Sequence, residues 1–399
     1  MNEKIESVKS FLSKAIFSKP FCYLMPFICL GSYLLSIRVP QATGYYLIHY
    51  LYTYDHGFVS RGLVGEVISW FTDVVTDDIT RTVTTVFSWL LVIAASLCMG
   101  KALSYVRKDR ASFCKVLFIL AFISILPFSF RQYNVDVRLD KAVWAVTLLA
   151  VFLSDRKYLV WLVPALCVLA TLINPVFVFT SMILIAIILL QEFRSSGYSK
   201  KNLVICVVTY AAIIALSLYA VSSQGSLGFA NAREMVDYYF ARYAGTLSEE
   251  DYAAFTTYWL PDFFEPVDDL LTSEYMSVYF ETEKPKTIAF GILFAIPAYS
   301  VLITLWKNSI KKEENKMQKF IYFLCMISPV ASIPPVILSW GITKYLGNHI
   351  LVQLGLLVYF IIKKHESVIA SLSGITEFFK KHYYIGICAL VYAMILITI

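Results

Sequence analysis

Apolar stretches of roughly 20 residues, each long enough to cross about 30 Å of hydrocarbon as a helix, recur along almost the whole chain. None alternates with a period of two, as the strands of a transmembrane barrel would. The runs predict spans near 21–37, 82–100, 113–130, 140–154, 158–173, 175–193, 203–221, 287–305, 320–340, 346–362 and 384–399. The expected fold is therefore all-α, a polytopic transmembrane helical bundle of about eleven spans over 1–399. The double proline Pro334-Pro335, with Pro329 upstream, is expected to break the ninth span.

Composition agrees with this pattern. The chain is 58% hydrophobic and 16% charged, where soluble domains are about half apolar and a quarter charged. The net charge of +6 is no nucleic-acid signal in such a chain, because basic residues there set orientation. The cysteines (Cys22, Cys29, Cys98, Cys114, Cys167, Cys206, Cys325, Cys388) lie in or beside apolar runs and form no CxxC pair. Neither a zinc site nor a disulfide framework is indicated. The first apolar run lacks a small-residue cleavage site and is expected to be a retained span.

Alternate connections differ in charge. Segments 1–20, 101–112, Arg156-Lys157, 194–202, 306–319 and the stretch carrying Lys363, Lys364, Lys380 and Lys381 are basic. The longest member of the opposite set, 222–286, holds Arg233, Arg242, Lys284 and Lys286. Against them stand Glu234, Asp237, Glu249, Glu250, Asp251, Asp262, Glu265, Asp268, Asp269, Glu274, Glu281 and Glu283. The positive-inside rule then puts the N-terminus in the cytoplasm and the long loops outside.

The first long loop, 38–81, exceeds a plain connection. Its apolar residues from Ser60 to Val75 keep helical spacing, with Ser60 as the expected N-cap, and predict an interfacial helix. A second short helix is expected near 43–53. Between them Gly57 permits a sharp turn that aims Asp55 and His56 at the membrane. The next outer connection crowds Arg131, Asp136, Arg138, Asp140 and Lys141 at one mouth. It is either a snorkelling, self-neutralised helix end or an anion site, since Arg offers a fixed fork of donors suited to phosphate. Asn174-Pro175 predicts a tight turn. Lys344, Asn348 and His349 bring a cation, an amide and an imidazole to the same side, where Lys344 is also a natural interfacial anchor. In the acidic loop 222–286, Met235, Val236, Tyr239, Phe240 and Tyr243 form one helical stripe, and Ser248 caps a second helix. Such an aromatic subdomain suits a lid or an acceptor platform as well as plain core packing.

Nucleotide loops, dinucleotide fingerprints, HExxH helices and GxSxG elbows do not occur. The predicted spans carry hardly any Asp, Glu, Lys or Arg, which speaks against an ion-coupled pump. Chemistry is thus expected at the outer boundary, on a lipid-phosphate substrate. Asp55 or Asp136 would serve as general base, with His56, Arg61, Arg131, Arg138, Asp140, Lys344 and His349 binding the substrate or its phosphate.

With Asp55 following the first span and preceding the helix from Ser60, the chain resembles the integral-membrane glycosyltransferases of the GT-C type over about 1–221. The string Asp55-His-Gly-Phe-Val-Ser-Arg61-Gly-Leu-Val-Gly65 also resembles poorly characterised multi-pass proteins associated with bacterial surface polysaccharides. The resemblance implies a polyprenyl-phosphate-linked sugar donor, a glycan or lipid-linked acceptor, membrane lipid and no nucleic acid as partners, in the bacterial cytoplasmic membrane. It leaves room for a divalent metal, but the first loop has no DxD or ExD pair onto which a metal site carries over. A polysaccharide polymerase or ligase of the O-antigen type would lean instead on Arg233, Arg242 and the late loop. A non-catalytic flippase of lipid-linked glycans would need a hydrophilic path through the bilayer.

Overall fold

The computed structural model describes residues 15–36, 45–59, 61–125, 139–154, 156, 158–222, 228–254, 284–332, 342–388 and 391. Among them the regular structure is helical, with one isolated bridge, Val75 to Tyr243, and no strand. The elements are α1 (Lys19–Ser36), α2 (Tyr45–Leu51), α3 (Leu63–Ser69), α4 (Asp77–Val106), α5 (Arg110–Ile125), α6 (Asp140–Ser154), α7 (Val163–Ile173) and α8 (Met182–Ser195). Then come α9 (Lys200–Ser222), α10 (Ala232–Phe240), α11 (Glu249–Ala254), α12 (Lys284–Lys312), α13 (Lys316–Ile327), α14 (Ile342–Ile362) and α15 (Glu366–Lys381).

Local chemistry sets several starts. Thr76 caps α4 by accepting from the Ile79 N–H, and Asp77 and Asp78 occupy the first turn, where the helix dipole favours acids. Asn231 caps α10 in the same way, while Glu234 reaches back to the Ala230 N–H at 2.7 Å. α3 differs from expectation. Its N-cap position is Gly62, without a side-chain bond, and it is shorter than the apolar spacing implied. Ser60 lies outside the described residues.

Burial separates the helices into central and peripheral. Residues 347–362 of α14 are buried without a break, as a helix apolar on every side must be. α14 packs against α4, α6, α8 and α12. By contrast, only 17% of the apolar window of α9 is buried, against 56% for α4. The outward Leu203, Val204, Val207, Val208, Ile214 and Leu218 of α9 remain exposed. Among the described residues, α4 and the segment Lys200–Tyr219 are long and apolar enough to cross a membrane. Leu159–Ile173 and Gly347–Ile362 are shorter apolar helices.

Several expected spans are interrupted. A 3-10 turn, Pro175–Val178, precedes α8, and another, Ser328–Ser332, follows α13. Pro329 sits in the latter, and Pro334-Pro335 lies outside the described residues. The stretch between Lys364 and Lys380 is a further helix, α15. It buries Val368, Leu372, Ile375 and Phe379 against α5 and α12. Its mixture of Ser, Thr and Glu with spaced apolar residues never reaches the density of a span.

The two ends of the bundle are distinct polar layers. At one, Lys141 Nζ donates to Ser88 Oγ at 3.1 Å, and further along Cys98 Sγ reaches the Leu148 carbonyl, so α4 and α6 run parallel. At the other, Glu192 accepts from Tyr359 at 2.7 Å and pairs with Lys363 at 2.6 Å. There His365 sits between Tyr322 and Gln191, and burial holds its imidazole down to about 4, so it is neutral at ordinary pH.

Among the described glycines, Gly65 leaves the least room for a side chain. A Cβ there would lie 2.2 Å from the Tyr52 carbonyl oxygen, a backbone atom with little freedom to move. Gly374 in α15 would meet nothing within 4 Å. Gly65→Ala is therefore expected to destabilise the fold by about 1–3 kcal/mol. Gly374→Ala should be neutral or gain up to ~1 kcal/mol through helix propensity. Thermal unfolding of the two variants in detergent checks the contrast, and equal midpoints would contradict it.

Candidate functional site

The string from Asp55 to Gly65 folds as a tight loop for identifiable reasons. Gly57 adopts φ +118°, which a side chain would strain, and Arg61 holds φ +71° although it is not glycine. Tyr54 and Phe58 stack with centroids 5.6 Å apart, and Gly62 fits beneath the Tyr54 ring. Glu66, one turn into α3, accepts from the Tyr54 N–H at 2.9 Å and from Trp70 Nε1 at 3.2 Å. The loop thereby presents Asp55, which is exposed, beside a half-buried His56.

Asp55 Oδ2 accepts from Thr53 Oγ1 at 2.7 Å and from the Tyr238 hydroxyl at 3.3 Å. Both donors fall on one oxygen, so Oδ1 has no protein donor among the described residues. His56 stands edge-on to Tyr238 and tilted against Phe229, each at 4.4 Å between centroids. Burial, then the Asp55 carboxylate, holds the Tyr238 phenol above its ordinary range and keeps it a donor. Tyr238 and Phe229 come from the acidic loop, about 180 residues from Asp55 in the chain.

What unites these segments is a clasp between the two long loops. Val75 N–H donates to the Arg242 carbonyl at 2.7 Å, and Ala244 N–H donates to the Val75 carbonyl at 3.0 Å. Tyr243 donates to Asp77 at 2.6 Å, Tyr239 to the Thr53 carbonyl at 3.2 Å, and Arg242 Nη1 to the Leu51 carbonyl at 2.6 Å. The expected stripe supplies the packing, since Met235, Val236 and Tyr239 are fully buried. α2 is also buried, through Leu47, Ile48, Tyr50 and Leu51. The expectation of two interfacial helices in the first loop is thus corrected. α10 covers α2, and only the α3 segment, with exposed Val67, Trp70, Phe71 and Val74, has the surface of one.

A second polar group lies beneath the clasp, inside the bundle. Tyr50 and Thr84 share a 2.7 Å hydrogen bond, Ser88 sits one turn along α4, and Lys141 bonds Ser88. Asp140 Oδ1 accepts from Asn174 Nδ2 at 3.1 Å, while Asn174 Oδ1 accepts from the Val176 N–H. Trp144 Nε1 donates to Asn348 Oδ1 at 2.6 Å, and His349 Nδ1 meets the Tyr299 hydroxyl at 2.7 Å. Asp140 and Lys141 are 5% and 1% exposed. A snorkelling helix end is therefore excluded for both. α4, α7 and α14 pack around α6, and buried charges of this kind need polar partners from neighbouring helices.

The sequence-derived site residues thus fall into two sets at the same end. Asp55 and His56 meet the acidic loop; Asp140 and His349 belong to the buried set. Arg61 faces inward, its Nη1 3.3 Å from His49 Nε2. Because arginine only donates, that His49 nitrogen is the acceptor and the ring proton sits on Nδ1. Lys344 lies in the first turn of α14, but its side chain, like Arg131, Asp136 and Arg138, lies outside the described residues. Thr53, Phe229, Tyr238, His49 and Trp144 were not singled out by sequence reasoning. Only Tyr238, adjacent to the predicted stripe, carried a usable signal. Among the described residues no group of three or more His, Cys, Asp or Glu side chains gathers as a metal site.

Arg242→Ala should leave the buried Leu51 carbonyl unpaired, costing about 1–3 kcal/mol at the clasp. Limited proteolysis should then cut within 228–254 roughly tenfold faster, and an unchanged rate would show that the contact holds nothing.

Neither the curated proteins nor the solved structures contain a match to this chain. The model of a family described as uncharacterised membrane protein Rv1490 matches residues 23–226, a little over half of the 399 residues. The match takes in most of α1 and all of α2 through α9, with the Asp55 loop and the buried polar group of α4, α6 and α7. The chain belongs to the Rv1490 family of membrane proteins.

Proposed function

We propose that this membrane protein is a GT-C-like glycosyltransferase that moves a sugar from a polyprenyl-phosphate carrier to a cell-envelope glycan. In this reading it is a bundle of about eleven spans in the bacterial cytoplasmic membrane, N-terminus inside, with the clasped loops on the outer face. The observation that carries the reading is the state of Asp55. It is an exposed carboxylate with both protein hydrogen bonds on Oδ2 and an aromatic wall of His56 and Tyr238 beside it. A pyranose suits such a wall, since apolar ring faces stack on aromatics while hydroxyls seek a carboxylate.

The step follows from that arrangement. An acceptor hydroxyl donates to Asp55 Oδ1 and attacks the anomeric carbon of the donor. The bond from that carbon to the carrier phosphate breaks, its electron pair leaves with the phosphate, and the hydroxyl proton stays on Asp55. A direct displacement of this kind inverts the anomeric centre. Thr53 and Tyr238 orient the carboxylate through their hydrogen bonds to Oδ2. Beneath the loop, Lys141 bonds Ser88 inside the bundle, next to the Asp140–Asn174 pair.

Purified protein given a polyprenyl-phosphate-linked monosaccharide and a glycan acceptor should lengthen the acceptor by one sugar. Asp55→Asn should lower the product by at least about 10²-fold while the protein still inserts and unfolds normally. Undiminished product would remove Asp55 from the mechanism. Growth by whole repeat units would favour a polymerase, and label crossing between leaflets without a new bond would favour a flippase.

A further inference from the structure

The bundle end opposite the Asp55 loop carries a surface that the proposed chemistry does not use. α15 packs its apolar face on α5 and α12, with Lys115 Nζ donating to Ser373 and Lys312 Nζ donating to the Ala370 carbonyl. Its last turn is Lys380 and Lys381, both exposed, and His382 follows as the C-cap. Beyond it a short helical stretch, 383–388, turns almost wholly apolar side chains outward, including Tyr383 at 68% exposure, Tyr384 at 54% and Ile387 at 53%. The two ammonium groups therefore stand at the junction of a polar surface helix and a segment with the surface of a lipid-facing one.

The junction is also preorganised. The Phe378 and His382 rings lie 4.8 Å apart, and His382 Nδ1 bonds the Tyr384 hydroxyl at 2.9 Å. The backbone is held by His382 N–H on the Phe378 carbonyl at 2.8 Å. A knot of two aromatics and an imidazole beside two lysines is the composition of a membrane–water boundary, where rings with one polar edge sit at headgroup depth. Glu377 shares the outward face of the last turn. The cations lie nearer the apolar segment than it does.

We propose that this junction binds the headgroup of an acidic phospholipid. Lys380 and Lys381 contact its phosphate, and Phe378, His382 and Tyr384 pack at the level of its glycerol. Charge complementarity selects the occupant, because each lysine held near an anionic leaflet favours acidic over zwitterionic lipid. The inference rests on the helix end alone and stands whether or not the chain transfers sugars.

The full-length protein, reconstituted in nanodiscs of phosphatidylcholine with or without phosphatidylglycerol, is extracted gently and weighed by native mass spectrometry. Wild type should retain phosphatidylglycerol over phosphatidylcholine. Lys380→Gln with Lys381→Gln should lower that retention by about tenfold or more, and Lys380→Arg with Lys381→Arg should preserve it. Lys200→Gln with Lys201→Gln removes the same charge from another basic connection and should leave retention near wild type. Equal retention in the Lys380/Lys381 glutamine variant, or an equal loss in the Lys200/Lys201 variant, would overturn the site. Circular dichroism identifies any variant that fails to fold, and the arginine pair then decides: loss of retention in that pair, still folded, also counts against it.

Discussion

The clasp between the two long loops is the contact on which the candidate site depends. Asp55 belongs to a turn anchored near the first helix, and its aromatic neighbours belong to a segment that follows the ninth. Nothing local holds them together. Backbone hydrogen bonds joining Val75 to Arg242 and Ala244, with the Arg242 guanidinium on Leu51, fix their separation. Bonds of this kind are modest in net energy but expensive to leave unmade once buried. Met235, Val236 and Tyr239, fully buried behind them, supply the apolar area that keeps water away.

Beneath the clasp the same rule operates inside the bundle. Asp140, Lys141, Asn174, Trp144 and Asn348 sit where water is scarce, and each is bonded to a group from another helix or turn. Pairing across α4, α6, α7 and α14 ties the helix ends into one layer. The loop site therefore rests on a rigid base, which is what precise positioning of a reactive carboxylate requires. The opposite end has its own layer of Glu192, Lys363, Tyr359 and His365, so the bundle is braced at both ends around an apolar middle.

Much of this was legible in the sequence. Run length and charge asymmetry located most helices, and α6 begins and ends where the apolar run does. Gly57 marked the turn, and the stripe through Tyr239 marked the buried face of α10. The misses have physical causes. The predicted helix stops short of Val75, whose N–H and carbonyl are taken by Arg242 and Ala244 across the clasp. α15 was hidden because a helix half covered by protein needs only a broken apolar stripe. Asp140 and Lys141 looked like a solvated mouth since a linear chain does not show which helices pack around it. Thr53, Phe229 and Trp144 are ordinary residues in ordinary runs, and only the fold gives them partners.

The docking of the two loops is open to direct test with a photoreactive benzophenone side chain placed at Tyr243. The Val75–Tyr243 bridge and the Tyr243–Asp77 hydrogen bond predict a cross-link, read by mass spectrometry, to the peptide that contains Val75 and Asp77. Cross-links confined to lipid or to the acidic loop itself would contradict the arrangement, and with it the placement of Tyr238 at Asp55.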